Sequence, residues 1–319
     1  MKHLTKFMSI ALVMIPALTF SQLLWAKQQI DTTLTSDNLT SATNVTIEIR
    51  MGEVTIVGWD KNEVHVEGEL DNNVDEFIFK EENGQVIIKT KYENSRHSGH
   101  SDTDLTIKIP KNLRTGFDGV SGDVVVKNLR NNARINTVSG DIKASELNGN
   151  IELSSVSGSI KSNNLDGKIS LSGVSGDIDD SASQGRLELR AVSGEISSKS
   201  SASQVFVESV SGDVVLALGQ TEEIRVSTVS GEVNMALTLN KNGVVKVNTV
   251  SGDSVVDLQK GIEADFRLNA SAGGRLVNKL TSDKAKRAKY GPNSKLIFQT
   301  GDANASISMN TVSGELVVK

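Results

Sequence analysis

The 319-residue chain has no cysteine, three prolines and four histidines, and aromatic residues make up 4% of it. Without cysteine it has neither disulfides nor a thiol nucleophile, so stability must come from core packing and backbone ladders. No histidine recurs with the repeated serines described below, which leaves a hydrolase triad without its base. Scarce aromatics speak against a sugar-cleaving groove, which needs rings for sugars to stack on. The charge balance, 34 Lys and Arg against 39 Asp and Glu, lacks the basic excess that nucleic-acid phosphates demand.

Long hydrophobic runs are also missing, apart from one at the start. Lys2, His3 and Lys6 precede an apolar stretch from Phe7 to Phe20, interrupted only by Ser9, Pro16 and Thr19. Ser21 to Ala26 then lead to Lys27, Gln28 and Gln29. This is the three-part layout of a secretory signal peptide, with cleavage expected after Ala26 or, alternatively, after Ser21. The competing reading is an uncleaved anchor, but the run is short against the ~20 residues a span needs. No cysteine follows for lipid attachment, and no later stretch reaches transmembrane length. The expected address is therefore the periplasm or the cell surface, with no membrane span after cleavage. Loss of residues 1–26 removes two lysines and leaves 32 basic against 39 acidic residues, a charge of −7.

What the chain does have is a repeat. V-S-G begins at Val120, Val138, Val156, Val174, Val192, Val210, Val229, Val250 and Val312, and the first five steps are equal, at eighteen positions each. The next two steps are slightly longer, nineteen and twenty-one. A worn copy, Ser271-Ala272-Gly273, follows Val250 after one more step of the longer kind. A half-period of nine runs inside the full one, with glycines at 140, 149, 158, 167, 176, 185 and 194. An apolar residue follows two places after each. Ser-Gly-Asp and Asn-Gly favour turns, because Gly reaches positive φ and Asp or Asn can bond nearby backbone. The β-branched, alternating residues after the turn suit a half-buried strand.

A turn and a strand in every half-period fit either an antiparallel meander or a parallel stack. Only the stack explains why the same corner returns once per full period. The fold expected is all-β: a parallel β-solenoid (β-helix or β-roll) of about 18 residues and two strands per coil, right-handed by the rule for parallel crossovers. A hexapeptide left-handed helix has a coil of the same length, but its apolar period is six, not nine. The expected organisation is signal peptide 1–26, a β-rich cap with irregular first coils over 27–115, and the V-S-G-D repeats over 116–319, continuous with the cap as one domain. Ser282 to Pro292 breaks the pattern and reads as a loop or single helical turn in the penultimate coil.

These residues resemble the bacterial "putative adhesin" family, exported proteins carrying a domain of unknown function marked by repeated V-S-G-D. The resemblance spans about residues 44–319. It rests on the repeats, on Gly52-Glu53-Val54-Thr55-Ile56-Val57-Gly58-Trp59-Asp60, on Asp104-Leu105-Thr106-Ile107-Lys108-Ile109-Pro110, on Tyr290-Gly291-Pro292 and on the final Thr311-Val312-Ser313-Gly314-Glu315. It implies a solenoid-like fold and an envelope or surface location, and it brings no catalytic residues.

Three groups of residues stand out chemically. The corner glycines Gly122, Gly140, Gly158, Gly176, Gly194, Gly212, Gly231, Gly252 and Gly314 are expected at positive φ. The residue after V-S-G is acidic in eight of nine copies: Asp123, Asp141, Asp177, Glu195, Asp213, Glu232, Asp253 and Glu315, with Ser159 the exception. Stacked ~4.8 Å apart, such carboxylates either accept turn N–H bonds at their own corners or hold Ca²⁺ or Mg²⁺, hard cations that take oxygen ligands. The aspartates Asp123, Asp141, Asp177, Asp213 and Asp253 are the metal candidates. The calcium β-roll has the same period of nine but far more glycine, so no cofactor is the expectation. His97 and His100, with Asp102 and Asp104, have a spacing that fits either a metal site or a solvated loop. His65, alone on a strand, reads as a surface residue. The residues before V-S-G are too mixed for a flat ice-binding array. No enzymatic activity is expected. The leading reading is an envelope or surface scaffold, adhesin-like, binding an envelope protein, surface protein or glycan. Alternatives are a periplasmic sensor or stress accessory with a protein partner, and a carbohydrate-binding or carbohydrate-cleaving β-helix.

Overall fold

The computed structural model describes residues 28–35, 39, 43–92 and 103–319. Among them no helix forms, and 26 strands join in one continuous sheet. The signal-peptide expectation lies outside these residues.

The pairing explains the repeat. Ile142 lies beside Ile160, Ile160 beside Ile178 and Ile178 beside Ile196, all in parallel register. Ile151 likewise faces Ile169, and Ile169 faces Leu187. Partners lie one full period apart, so Ile142 and Ile151 are not the neighbours a meander would make them. These columns are fully buried. The alternating pattern turns one set of side chains inward on every pass, and stacking places β-branched groups directly over each other.

The two longer steps do not disturb the V-S-G corner. Register shifts between Leu218 and Gln220, and between Thr221 and Glu223, take up extra residues at the opposite corner. Ser211, Ser230 and Ser251 therefore stay in line. That opposite corner has the expected glycines at positive φ, Gly149, Gly167 and Gly185 at 112°, 124° and 87°. Three residues before each, Glu146, Asn164 and Ala182 are left-handed as well, with φ of 57°, 56° and 57°, as is Asn128 one coil earlier at 58°. These non-glycine positions are what the sequence expectation lacked.

Both ends depart from simple sequential stacking. Asn44–Glu48 lies between Gln85–Lys91 and Arg114–Asp118, parallel to both. Glu53–Trp59 lies between Asp104–Pro110 and Val124–Leu129. The outer positions go to antiparallel strands: Glu76–Glu82 on one side, Val64–Leu70 and then Gln28–Leu34 on the other. At the far end, Ala305–Ser313 is inserted between Val233–Ser251 and Ala264–Ala270. Glu315–Val318 is inserted between Ser254–Leu258 and Arg275–Asn278. Ser294–Gln299 runs antiparallel along Ala264–Ala270, with Lys286–Arg287 outside it. So 282–292 contains one very short strand, Lys286–Arg287, and no helical turn. Antiparallel, charge-bearing edges interrupt the parallel template at each end, which blunts edge-to-edge growth.

Candidate functional site

The V-S-G corners form one column along the stack, and each of its residue types has a different physical task. The residue before the valine points inward: Thr137, Ser155, Ala191, Ser209, Thr228, Thr249 and Thr311 are all buried. This column is therefore no surface array of any kind. It is mixed because the tight corner selects small side chains, whatever their polarity.

Inward placement at one residue turns the next outward. Every valine of the nine motifs is exposed, at 42% to 49%. From the sequence they read only as apolar members of the repeat. The signal was there: the fixed inward position of Ile142 and its equivalents, together with Thr137, leaves Val138 no inward direction. Ser139, Ser157 and Ser175, behind three of the valines, are exposed too, and their backbones continue the ladder. They donate their N–H groups to the Val120, Val138 and Val156 carbonyls at 2.7, 2.8 and 2.9 Å.

The glycines follow, for the expected reason at most corners and for a second reason at all nine. Gly194, Gly212, Gly231, Gly252 and Gly314 have φ between 122° and 143°, whereas Gly158 and Gly176 lie outside the left-handed region. What unites all nine is contact between rungs. A Cβ on any of them would come within 3.0 Å of the carbonyl oxygen of the glycine below. For Gly158 that oxygen belongs to Gly140, and for Gly140 to Gly122. Gly52 begins the same column beneath Gly122, and Gly274 ends it above Gly314. The worn corner is thus Gly274, not Gly273, whose added Cβ would meet nothing.

The acidic position also works between rungs. The backbone N–H of Asp141 donates to Asp123 Oδ1 at 2.8 Å, and that of Ser159 to Asp141 Oδ1 at 2.9 Å. Glu195, Glu232 and Glu315 do the same to Asp177, Asp213 and Asp253, at 2.8, 2.8 and 2.7 Å. Each candidate aspartate therefore clamps the next corner, not its own. One methylene gives aspartate the reach to the neighbouring N–H. Among the described residues, no group of three or more His, Cys, Asp or Glu side chains is placed to hold a metal ion.

This architecture matches a known domain: the family model described as Toastrack DUF4097 fits residues 38–319. The chain belongs to that family. No curated protein matches it. Among solved structures, this Toastrack chain is similar to a "putative cell adhesion protein" from Clostridium sporogenes, 12% identical, covering 92% of this chain and 99% of that one, with a TM-score of 0.23. A "putative lipid binding protein" from Parabacteroides distasonis is 14% identical over 91% and 96%, with a TM-score of 0.44. A "putative adhesin" from Bacteroides fragilis is 14% identical over 92% and 98%, with a TM-score of 0.33. Likeness of this size says nothing about what the present Toastrack chain binds.

Three other places in this Toastrack chain bear on chemistry. His97, His100 and Asp102 lie outside the described residues; Asp104 pairs with Glu53 in the sheet. His65 is not a lone surface histidine: it bonds Thr33 Oγ1 at 2.9 Å and Glu67 at 3.1 Å, and stacks against Trp59. Lys108 and His65 together hold the Glu67 carboxyl below its usual range. The third is Asp180, which sequence reasoning missed because its inward parity shows only once the register is known. It is buried inside the stack and accepts hydrogen bonds from Ser162 and Ser183, both at 2.6 Å, and Ser198 at 2.9 Å. Burial raises its pKa, and the three hydroxyls offset this only in part. With its oxygens engaged in the core, it reads as a satisfied buried group and not as an acid catalyst.

Proposed function

We propose that this Toastrack chain is a non-enzymatic, exported scaffold of the bacterial envelope or cell surface, adhesin-like, that needs no cofactor and acts through its surface. We read the stack as a right-handed parallel β-solenoid with two strands per coil. The observation that carries the functional reading is the column of nine half-exposed valines. A soluble chain seldom leaves a contiguous apolar strip uncovered unless something docks on it. The strip lies within the repeats, on a stiff backbone ladder, which suits a presented surface better than a sensor pocket outside them. The partner is an envelope or surface protein, or a glycan.

Two measurements test this. Mature protein is expected outside the cytoplasm, with Lys27 or a near neighbour at its N-terminus; soluble cytoplasmic protein beginning at Met1 would overturn export. Envelope fragments are expected to retain the wild-type protein about tenfold better than a Val192→Thr, Val210→Thr double variant. Equal retention of the two would remove the valine column from the functional account.

A further inference from the structure

The valine column has a property that selects its occupant. Its nine members repeat at the rung spacing of a parallel sheet, ~4.8 Å, over a length of ~38 Å. A partner that touches every rung must repeat at the same spacing. A globular surface or a single peptide can meet some of the rungs, whereas a second copy of this chain meets all of them by construction. Identical ladders brought together interdigitate at every level, as in the dry interfaces of paired sheets.

The ground beside the valines completes the fit. A shallow groove of about 520 Å³ runs along Val192, Val210, Val229 and Val250, floored by Thr228 and Thr249. A neighbouring valine ridge can settle into it. The flat strip from two residues before the valine to one after covers ~10 Å along each strand, hence about 380 Å² per copy and ~760 Å² for a pair, from the standard sheet spacings. That is the size of a weak, reversible contact.

Charge decides the direction. One side of the ridge is mostly amides and hydroxyls, such as Asn136, Ser154 and Asn248, with Arg190, Glu208 and Asp118 among them. On the other side, round the corner, stands the acidic column. Antiparallel ridges, related by a two-fold axis across the stack, would set acid column against acid column. Parallel ridges, related by a two-fold axis along the stack, set each acid column against the mixed side, which has fewer acids and whose Arg190 is already paired with Glu188 and Glu208.

We propose that this chain self-associates through its V-S-G valine columns, two copies side by side with their stacks parallel. The inference uses the same valines as the functional reading but does not depend on export or on any foreign partner.

Because the chain has no cysteine of its own, introduced thiols report without background. Single variants Val138→Cys, Val192→Cys and Val312→Cys, purified and mildly oxidised, are each expected to form a disulfide dimer at least tenfold faster than Lys161→Cys, an exposed position on the other face. Disulfides need Cα atoms within ~7 Å, so cross-linking reports true opposition. In parallel ridges every rung meets itself. If only Val192→Cys, the middle rung, cross-links with itself while Val138→Cys pairs with Val250→Cys, the parallel arrangement is wrong. Sedimentation of the unmodified protein is expected to show a dimer that Val174→Lys, Val192→Lys and Val210→Lys together convert to monomer. A monomer at all concentrations, with cross-linking no faster than at Lys161→Cys, overturns self-association. That result would leave the export and envelope-binding measurements untouched, and their failure would leave this one standing.

Discussion

Gly158 has no special backbone angle, yet nothing larger fits there, because its neighbour is the carbonyl of Gly140 one rung below. Gly158→Ala must push two backbones apart, and is expected to cost about 1–3 kcal/mol, the range for overpacking. Ser157→Ala, at an exposed hydroxyl one residue earlier, should stay within ~0.5 kcal/mol. Paired thermal melts decide this; a silent Gly158→Ala would mean the rungs are not in contact at the corner. Asp180 poses the opposite case, a charge where none is needed. Its raised pKa means that the folded chain holds the proton more tightly than the unfolded chain. The group therefore favours folding below the unfolded carboxylate range, about 3.9, and that advantage is lost as pH rises through the raised folded value. Asp180→Asn keeps an oxygen for Ser162 and Ser183 and can donate to Ser198, without the charge. It is expected to melt at or above the wild type at pH 8, with the difference vanishing near pH 4. Asp180→Ala instead orphans three buried hydroxyls and should cost about 1–3 kcal/mol. An Asn variant that is less stable at pH 8 than at pH 4, relative to wild type, would contradict the sign.

Along a single strand the decisive quantity is parity. Ile160 points into the stack and Lys161 points out of it. Ile160→Asp buries an unpaired carboxylate and is expected to cost several kcal/mol, whereas Lys161→Asp should change stability by no more than ~0.5 kcal/mol. Denaturant unfolding of the two distinguishes a parallel column through Ile142, Ile160 and Ile178 from any register shifted by one. Strands of this kind were legible in the sequence because the repeat is printed at constant spacing in glycine, serine and β-branched residues. The stacking direction was legible too, from the return of the same corner once per full period. The second corner was legible only in part: Gly149, Gly167 and Gly185 take the expected positive φ, but the left-handed residues Asn128, Glu146, Asn164 and Ala182 have no shared residue type to mark them. Tertiary stacking forces that conformation against the preference of Glu and Ala. The outward valines and the rung-to-rung aspartate clamps were hidden for a related reason. The motif shows which residues recur, but parity and reach between rungs depend on register, which only the paired strands supply.

At the scale of the whole molecule, the order of the chain and the order of the stack part company at both ends. A purely sequential array loses its last unit when its last residues are removed, and the remainder keeps nearest-neighbour contacts. Here residues 305–319 are not the outermost unit. Ala305–Ser313 is held on both sides, by Val233–Ser251 and Ala264–Ala270. Glu315–Val318 is likewise held by Ser254–Leu258 and Arg275–Asn278. Phe266 and Phe298, stacked 4.4 Å apart, belong to the cap beyond that insertion. Deleting residues 305–319 therefore severs the cap from the body, exposing Val245 and Val247 of one ladder and Ser254 and Val256 of the other as open parallel edges. The expected outcome is loss of amide-exchange protection over 264–299, followed by aggregation through the uncapped edge. Deleting Lys286–Arg287 and their loop, which lie outside Ser294–Gln299, should leave protection of Ala264–Ala270 intact. If instead the 305–319 deletion stays soluble and keeps 264–299 protected, Ala264–Ala270 must be able to stack directly on Val233–Ser251. The inserted final strands would then be an addition to the array and not the piece that joins its end to its body.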